Sequence, residues 1–156
     1  MSQLFIIPCG KKKIWDKYPD VGPAKAKDAY IGVLHRLCSQ YVEQFGDNWL
    51  IISGKHGLLR PSDIVPENYD LTFKANDPRV ITLETLQQQI VEKDLLRFDD
   101  IIALTGKKYQ RIVNQTFQQA KRIQYPLLGT RGIGDMQRLL KNSLEDNKAI
   151  HKEGGS

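Results

Sequence analysis

The chain has 156 residues, which suits one domain with a core large enough to fold without disulfides or structural metals. Its composition is ordinary for a globular protein and argues against collagen-like and wholly disordered classes. The 23 lysines and arginines exceed the 18 aspartates and glutamates by 5, which favours an anionic partner. Charge alone does not choose among a nucleotide, a nucleic acid and a membrane surface.

The two cysteines, Cys9 and Cys38, lack the spacing of a disulfide framework or of a zinc site. The first apolar run, residues 4–8, is far too short for a signal peptide or a membrane span. We therefore expect a cytoplasmic protein with no membrane partner, no bound metal and no cofactor.

Strand and helix patterns alternate along the chain. Short apolar runs predict buried strands at residues 4–8, 48–52, 99–104 and 123–128. Apolar residues at three-and-four spacing predict a helix over residues 30–45 that ends at Gly46, and later helices near residues 81–96, 109–120 and 133–140.

This alternation predicts an α/β fold with three α/β/α layers, because right-handed crossovers place helices on both faces of a parallel sheet. We predict a four-stranded parallel sheet in the order 2-1-3-4. Residues 1–146 are expected to form a single domain, and residues 147–156 a flexible tail.

Glycine and a cation follow each predicted strand. The four segments are Cys9-Gly10-Lys11, Ser53-Gly54-Lys55, Thr105-Gly106-Lys107 and Gly129-Thr130-Arg131. Parallel strands would bring these segments to the carboxyl edge of the sheet, where open α/β sheets bind ligands. Glycine lets backbone amides approach an anion and the cation adds charge, so the pattern predicts a phosphate site. The alternative is that these segments bind no ligand, because turns after strands often need glycine and lysine is common on protein surfaces.

The predicted ligand-binding residues are those of this edge, together with a tyrosine and an aspartate from the long loop at residues 53–75. These two would contact a base or sugar, and the equal alternative is that they hold the loop in place. The full set is Gly10, Lys11, Lys13, Ser53, Gly54, Tyr69, Asp70, Thr105, Gly106, Lys107, Arg131, Gly132 and Gly134. The Gly132-Ile133-Gly134 segment before a helix also resembles the hairpin of helix-hairpin-helix DNA-binding elements, and a plain helix start is the alternative. The chain has no Walker motif and no Gly-x-Gly-x-x-Gly motif.

Three residues of these loops are candidates for catalysis. His56, flanked by glycines, is a candidate acid or base, with a loop-stabilising histidine as the alternative. Lys55 would hold phosphate or transition-state charge. Cys9 is a candidate nucleophile favoured by the lysines after it, although a buried hydrophobic cysteine is the preferred interpretation.

The motifs carry a family resemblance over most of residues 4–135. Pro8-Cys9-Gly10-Lys11-Lys12-Lys13 and Ser53-Gly54-Lys55-His56-Gly57-Leu58-Leu59, with Tyr69-Asp70, resemble a bacterial and phage family of unknown function. The chain is distantly similar to the peroxide-stress protein YaaA, which binds DNA, to uracil-DNA-glycosylase-like folds and, through Pro8, Cys9 and Lys13, to archaeosine synthase. These resemblances imply a nucleotide or nucleic acid as partner.

The sequence thus predicts a nucleotide- or nucleic-acid-binding protein that acts on a nucleobase or an N-glycosidic bond at the carboxyl edge of its sheet. The alternative is a non-catalytic DNA- or RNA-binding module of the YaaA type. A deep pocket around a perturbed His56 or Lys55 would favour the enzyme, whereas a broad and shallow basic face would favour the binding module.

Overall fold

A computed structural model of the chain describes residues 2–73 and 76–153. Seven strands occur in the described residues: Gln3–Pro8 (β1), Ala24–Lys25 (β2), Trp49–Ser53 (β3), Gly57–Leu59 (β4), Ile64–Val65 (β5), Asp100–Ala103 (β6) and Arg122–Gln124 (β7). The helices are Ile14–Lys17 (α1), Ala26–Ala29 (α2), Val33–Phe45 (α3), Leu83–Glu92 (α4), Gln110–Thr116 (α5) and Ile133–Asp146 (α6), with a 3₁₀ helix at Lys107–Tyr109.

The central sheet has five strands in the order β4-β3-β1-β6-β7, and all neighbours except β4 and β3 are parallel. Strand β1 lies in the middle and is apolar on both faces. Phe5 and Ile7 belong to one buried cluster, whereas Leu4 and Ile6 belong to the other. A strand buried on both sides is continuously apolar, as this segment of the sequence is.

Helices cover both of these clusters. Apolar residues of α3 and α6 complete the cluster of Phe5, and those of α4 and α5 complete the cluster of Leu4. Helix α3 ends where expected, since Gly46 caps it and its amide donates to the Val42 carbonyl at 2.9 Å. An added Cβ at Gly46 would also collide with the Phe5 ring, so glycine serves both the cap and the packing.

The prediction of a four-stranded, wholly parallel sheet was wrong at its edge. After β3 the chain reverses and returns as β4, with Ser53 paired to Gly57 and Ile51 paired to Leu59. Gly57 has φ 73°, a left-handed conformation that glycine adopts without strain, and this permits the reversal. The expected long loop therefore contains an antiparallel edge strand, and also β5, which pairs with β2 in a separate two-stranded sheet.

The fourth predicted strand is shorter than expected. Strand β7 ends at Gln124, and residues 126–129 form a turn in which the Leu128 amide donates to the Tyr125 carbonyl at 3.1 Å. The Tyr125 hydroxyl donates to the Gln110 carbonyl at 3.1 Å, which draws this residue away from strand pairing and toward α5. Gly129 consequently ends a turn rather than a strand, and the strand-glycine-cation pattern does not hold for this strand.

Part of the predicted tail lies against the domain. His151 is buried and hydrogen-bonds through Nδ1 to the Tyr41 hydroxyl at 2.5 Å, and the Lys152 amide donates to Gln124 at 2.7 Å. The Lys152 carbonyl also accepts from Gln3 at 2.8 Å, beside the ion pair of Arg122 with the fully buried Asp100. Residues 154–156, the end of the predicted tail, lie outside the described residues.

None of the helices in residues 2–73 and 76–153 is both long enough and apolar enough to span a membrane.

Candidate functional site

Three parallel strands bring their following residues to one edge of the sheet. The Cys9 amide donates to the Ile52 carbonyl of β3 at 3.3 Å, and the Leu104 amide donates to the Ile6 carbonyl of β1 at 2.8 Å. Ser53, the last residue of β3, therefore lies level with Cys9, and Thr105 follows β6 at the same edge. Because β3 and β6 lie on opposite sides of β1, this edge contains the reversal of strand order where open α/β sheets form a ligand crevice.

A chain of hydroxyl groups runs from Ser53 into the long loop. Ser53 Oγ accepts from the amides of Lys55 and His56 at 3.2 and 3.1 Å and lies 2.6 Å from the Tyr69 hydroxyl. The Tyr69 hydroxyl in turn hydrogen-bonds to the Tyr30 hydroxyl. Since Ser53 Oγ already accepts twice, its own proton is available to Tyr69. Ser53 thus holds both the Lys55-His56 turn and Tyr69.

Lys13 brings a buried positive charge to this group. Its side chain is 4% exposed, and Nζ lies 4.5 Å from the centre of the Tyr69 ring and donates to the Lys11 carbonyl at 3.0 Å. Within residues 2–73 and 76–153, Lys13 forms no ion pair with a carboxylate. The carboxylate of Asp16 binds the Lys13 backbone amide, at 2.8 Å, rather than the ammonium group. Among the described residues, the Lys13 ammonium group uses one of its three N–H donors. The other two are available to an anion.

His56 and Lys55 also lie beside the Tyr69 ring. The His56 ring is 5.0 Å from the Tyr69 ring in an edge-on arrangement, and Lys55 Nζ is 5.7 Å from the same ring. Burial, and to a lesser degree the charge of Lys55, lowers the pKa of His56, so its imidazole is neutral at pH 7. Its Nε2 atom is buried without a hydrogen-bond partner among the described residues. A neutral imidazole with one unused nitrogen has the properties of an acid–base group.

The Cys9 thiol is buried beside these groups. Burial raises the pKa of Cys9, and the opposing effects of Lys13 and Tyr109 are smaller. The thiol is therefore protonated near neutral pH, which matches the buried-hydrophobe interpretation better than the nucleophile. Burial likewise raises the pKa of Tyr69 and Tyr109, and that of Tyr30 to about 12, so all three phenols remain hydrogen-bond donors at physiological pH.

The carboxyl edge opens into a crevice of about 510 Å³. It lies between the loops after β1 and β6 and the first turns of α3 and α6. Apolar side chains of Val33, Leu34, Ile133 and Met136 line one part, and Lys11, Lys107 and Lys108 supply cations. Gly10, Gly32, Gly106 and Gly132 contribute backbone.

A second cavity of about 340 Å³ adjoins the crevice and shares Lys11 with it. This cavity, which we call the lysine cavity, is lined by Lys11, Lys13, Asp16, Asn68, Tyr69 and Asp70. It combines cations with carboxylates, one of which, Asp16, is already engaged by the Lys13 amide and by Asn68. A ligand that fills both cavities meets Lys11 between them.

Most of the predicted site residues therefore lie at this edge, although Lys55 and His56 line neither the crevice nor the lysine cavity. Arg131 and Gly134 lie apart from this edge. Arg131 is exposed and its amide donates to Asp135 at 3.1 Å, and neither Arg131 nor Gly134 is among the residues lining the crevice. Thr105 follows β6, and its hydroxyl is buried without a partner in the part of the chain that the structure describes. In residues 2–73 and 76–153, no three side chains of His, Cys, Asp or Glu form a group that would hold a metal ion.

Sequence reasoning missed three site residues. Tyr30 and Tyr109 fall at the starts of the helices predicted at residues 30–45 and 109–120 and were given no role in the site, and neither was His35. Tyr30 lies just after α2 in extended conformation, and Tyr109 ends the 3₁₀ helix beside the crevice. The sequence held no signal for His35, because the helix predicted over residues 30–45 placed it inside the helix, whereas α3 begins at Val33 and His35 lies in its first turn.

The long loop packs closely against Gly54. An added Cβ at Gly54 would lie 2.8 Å from the backbone carbonyl oxygen of Leu71 and 3.2 Å from the carbonyl carbon of Thr72. We expect Gly54→Ala to displace this loop and destabilise the protein by about 1–3 kcal/mol, measured by denaturant unfolding.

Gly134→Ala is the matched control for this substitution. The residue lies in α6, and an added Cβ meets nothing within 4 Å. Alanine is the better helix former by about 1 kcal/mol, so this variant should be as stable as the parent or more stable. Equal stability of Gly54→Ala and the parent would show that the loop is not held against Gly54.

Comparisons with known proteins identify the family of this chain. It matches a family of unknown function, DUF6884, over residues 4–142. It is also 43% identical over 150 residues to the uncharacterized protein YfjM of Bacillus subtilis (strain 168), an alignment that covers 96% of this chain and 100% of that protein. No solved structure matches the chain. The family match spans the strands and loops that form the carboxyl-edge site, and the chain belongs to the DUF6884 family of unknown function.

Proposed function

We propose that this protein binds a nucleotide at the carboxyl edge of its sheet and acts on the nucleobase or its N-glycosidic bond. The observation that carries the proposal is the buried Lys13 ammonium, which has no carboxylate partner among the described residues and faces the lysine cavity. A buried charge without a counter-ion is costly, so the folded protein gains free energy when an anion binds there. Phosphate supplies such an anion.

The composition of the lysine cavity favours a nucleotide over free phosphate. Asp16 and Asp70 line it together with Lys11 and Lys13. Carboxylates repel phosphate but accept hydrogen bonds from hydroxyl groups. A sugar phosphate satisfies both sets, with its phosphate on the lysines and its hydroxyls on the carboxylates.

The adjoining crevice supplies room for a base. Its volume of about 510 Å³ falls within the range of ligand pockets, roughly 300–1,000 Å³. Its apolar side chains, Val33, Leu34, Ile133 and Met136, suit the faces of a planar heterocycle. The resemblance of the Pro8 to Lys13 segment to a base-modifying enzyme supports the same class of ligand.

His56 is the proposed acid–base group, and Lys55 the group that stabilises negative charge. Both flank Tyr69, which also contacts Lys13, so acid–base and anion-binding groups surround one side chain. A neutral imidazole with a free nitrogen accepts a proton from water or substrate and returns it to a leaving group.

Calorimetric titration tests the binding step. The four ribonucleoside 5′-monophosphates should bind at least about tenfold more tightly than the matching nucleosides, because a charge-assisted phosphate contact contributes roughly 1.5–3 kcal/mol. Orthophosphate should bind more weakly than the nucleotides. Equal affinity for nucleotides and nucleosides would overturn the phosphate site. Chromatography with mass detection then follows release or modification of the base.

A second candidate function is a DNA- or RNA-binding module. Lys12, Lys107, Lys108 and Arg131 are exposed, and two of them line the crevice, so a nucleic-acid backbone would meet cations outside the site. This candidate expects binding of oligonucleotides with a log–log salt slope of about −0.9 per neutralised phosphate on duplex DNA. Fluorescence anisotropy across a salt series measures that slope. Absence of oligonucleotide binding at low salt leaves the free nucleotide as the ligand.

A further inference from the structure

His35 is a crevice residue whose ring has an acceptor nitrogen with no partner among the described residues. It lies in the first turn of α3, lines the crevice and is 2% exposed. Its Nδ1 is 2.8 Å from the Pro8 carbonyl oxygen, which only accepts, so Nδ1 carries the hydrogen. The other ring nitrogen, Nε2, is buried and has no hydrogen-bond partner among the described residues. It is the one polar atom of this side chain left to meet a ligand.

The imidazole of His35 is neutral at pH 7. Burial lowers the pKa of His35, and the hydrogen bond to Pro8 opposes this effect less strongly. In the tautomer that Pro8 selects, Nε2 carries a lone pair and accepts a hydrogen bond. A ligand group that contacts Nε2 must therefore donate.

The walls of the crevice restrict what that donor is. Within the described part of the chain, no aspartate or glutamate lines the crevice, whereas Lys11, Lys107 and Lys108 do. These cations disfavour a positively charged donor such as an ammonium group. Phosphate is also unsuited to Nε2, because an ionised phosphate oxygen accepts and would face a lone pair. A neutral N–H or O–H remains.

The apolar lining favours a base over a sugar at this position. Val33, Leu34, Ile133 and Met136 offer the faces of a heterocycle apolar contact, and they leave ribose hydroxyls without partners. The carboxylates that would serve such hydroxyls lie in the neighbouring lysine cavity, with Asp16 and Asp70.

We infer that the crevice is a nucleobase subsite, in which Nε2 of His35 accepts a hydrogen bond from a neutral N–H group of the base. The inference rests on the proposed nucleotide-binding function and adds to it a residue and a direction of hydrogen bonding. Phosphate and base then occupy separate cavities that meet at Lys11.

His35→Asn tests the subsite with little cost to the fold. An asparagine amide places an N–H near the position of Nδ1–H and maintains the bond to the Pro8 carbonyl, but it has nothing at the position of Nε2. We expect His35→Asn to bind the preferred nucleoside about tenfold more weakly than the parent, the usual effect of a hydrogen bond lost from a buried site. An analogue with the donor N–H replaced by N-methyl should bind both proteins equally weakly. Undiminished affinity of His35→Asn would overturn the subsite.

Nitrogen-15 spectra of the histidine rings provide a readout that a merely structural role would not change. In the free protein His35 should show a neutral ring protonated at Nδ1, with the resonance assigned by its loss in His35→Asn. Adenosine, guanosine, cytidine and uridine are added in turn, and the nucleoside that binds should move the Nε2 resonance upfield. A ring protonated at Nε2 in the free protein, or binding that leaves this resonance in place, would contradict the inference.

Nucleosides carry no phosphate, so this result separates the two proposals. A shift at Nε2 without tighter binding of nucleotides would overturn the phosphate site at Lys13 and support the base subsite. Tight binding of nucleotides without a shift at Nε2 would support the phosphate site and overturn the subsite at His35.

Discussion

Lys13→Met should weaken nucleotide binding by about a hundredfold or more. Lys13 is a buried cation, and truncating one partner of a buried, hydrogen-bonded charge pair costs about 2–5 kcal/mol of binding free energy. Methionine fills a similar volume without charge. The free protein should keep its stability or gain some, because the penalty for burying the ammonium group disappears. Calorimetry measures the affinity, and thermal unfolding measures the stability.

Lys12→Met is the matched control for this prediction. Lys12 is the adjacent residue and carries the same charge, but it is exposed and does not line the lysine cavity. Its loss should change nucleotide affinity only a few-fold, in proportion to the general loss of one surface charge. Equal weakening by the two substitutions would mean that net charge, rather than the buried ammonium group, attracts the ligand.

His56→Gln should lower turnover about a hundredfold or more while nucleotide affinity changes little. Proton transfer by a positioned side chain contributes about 10²–10⁴ in rate, and glutamine retains polarity and size without exchanging a proton. The glutamine variant also tests the structural alternative. A histidine that only holds its loop would, when replaced, lower stability and leave turnover per folded molecule unchanged.

The pH profile of the same reaction distinguishes a base from an acid. Burial lowers the pKa of His56 below the usual value of about 6.5, so the neutral form predominates at pH 7. If His56 is the base, kcat/KM is constant at neutral pH and falls as the pH drops through this lowered pKa, where the ring gains a proton. A profile that instead rises as the pH drops through this pKa would make His56 the acid rather than the base. A binding module would show no turnover with either protein.

The sequence by itself determined the α/β class and the positions of most elements. The central strand shows this, because its burial on both faces requires an uninterrupted apolar run, which residues 4–8 display. Helix α3 shows it too, since one buried face imposes the three-and-four spacing and Gly46 ends the helix. These signals are local. The strand-glycine-cation pattern also located the carboxyl-edge loops after β1, β3 and β6, because parallel strands present their ends together.

The edges of the central sheet were less well predicted. Strand β4 forms because Gly57 reverses the backbone onto β3, and three residues carry too little pattern to reveal that pairing. The segment after β7 leaves the sheet at Pro126, which has no amide hydrogen to pair, and Tyr125 bonds to α5 instead. The proline was a signal in the sequence, whereas propensity is weak for short segments on a sheet edge.

The character of the candidate site was decided by the tertiary structure. Lys13 is one of three consecutive lysines, and the fold buries it with its ammonium group against Tyr69 while Lys11 and Lys12 remain exposed. His35 reads in the sequence as a helix residue, and only the approach of the Pro8 carbonyl selects its tautomer and leaves Nε2 free. A local pattern shows residue type and periodicity. Burial, charge pairing and the unused ring nitrogen of a histidine depend instead on which residues the rest of the chain brings into contact.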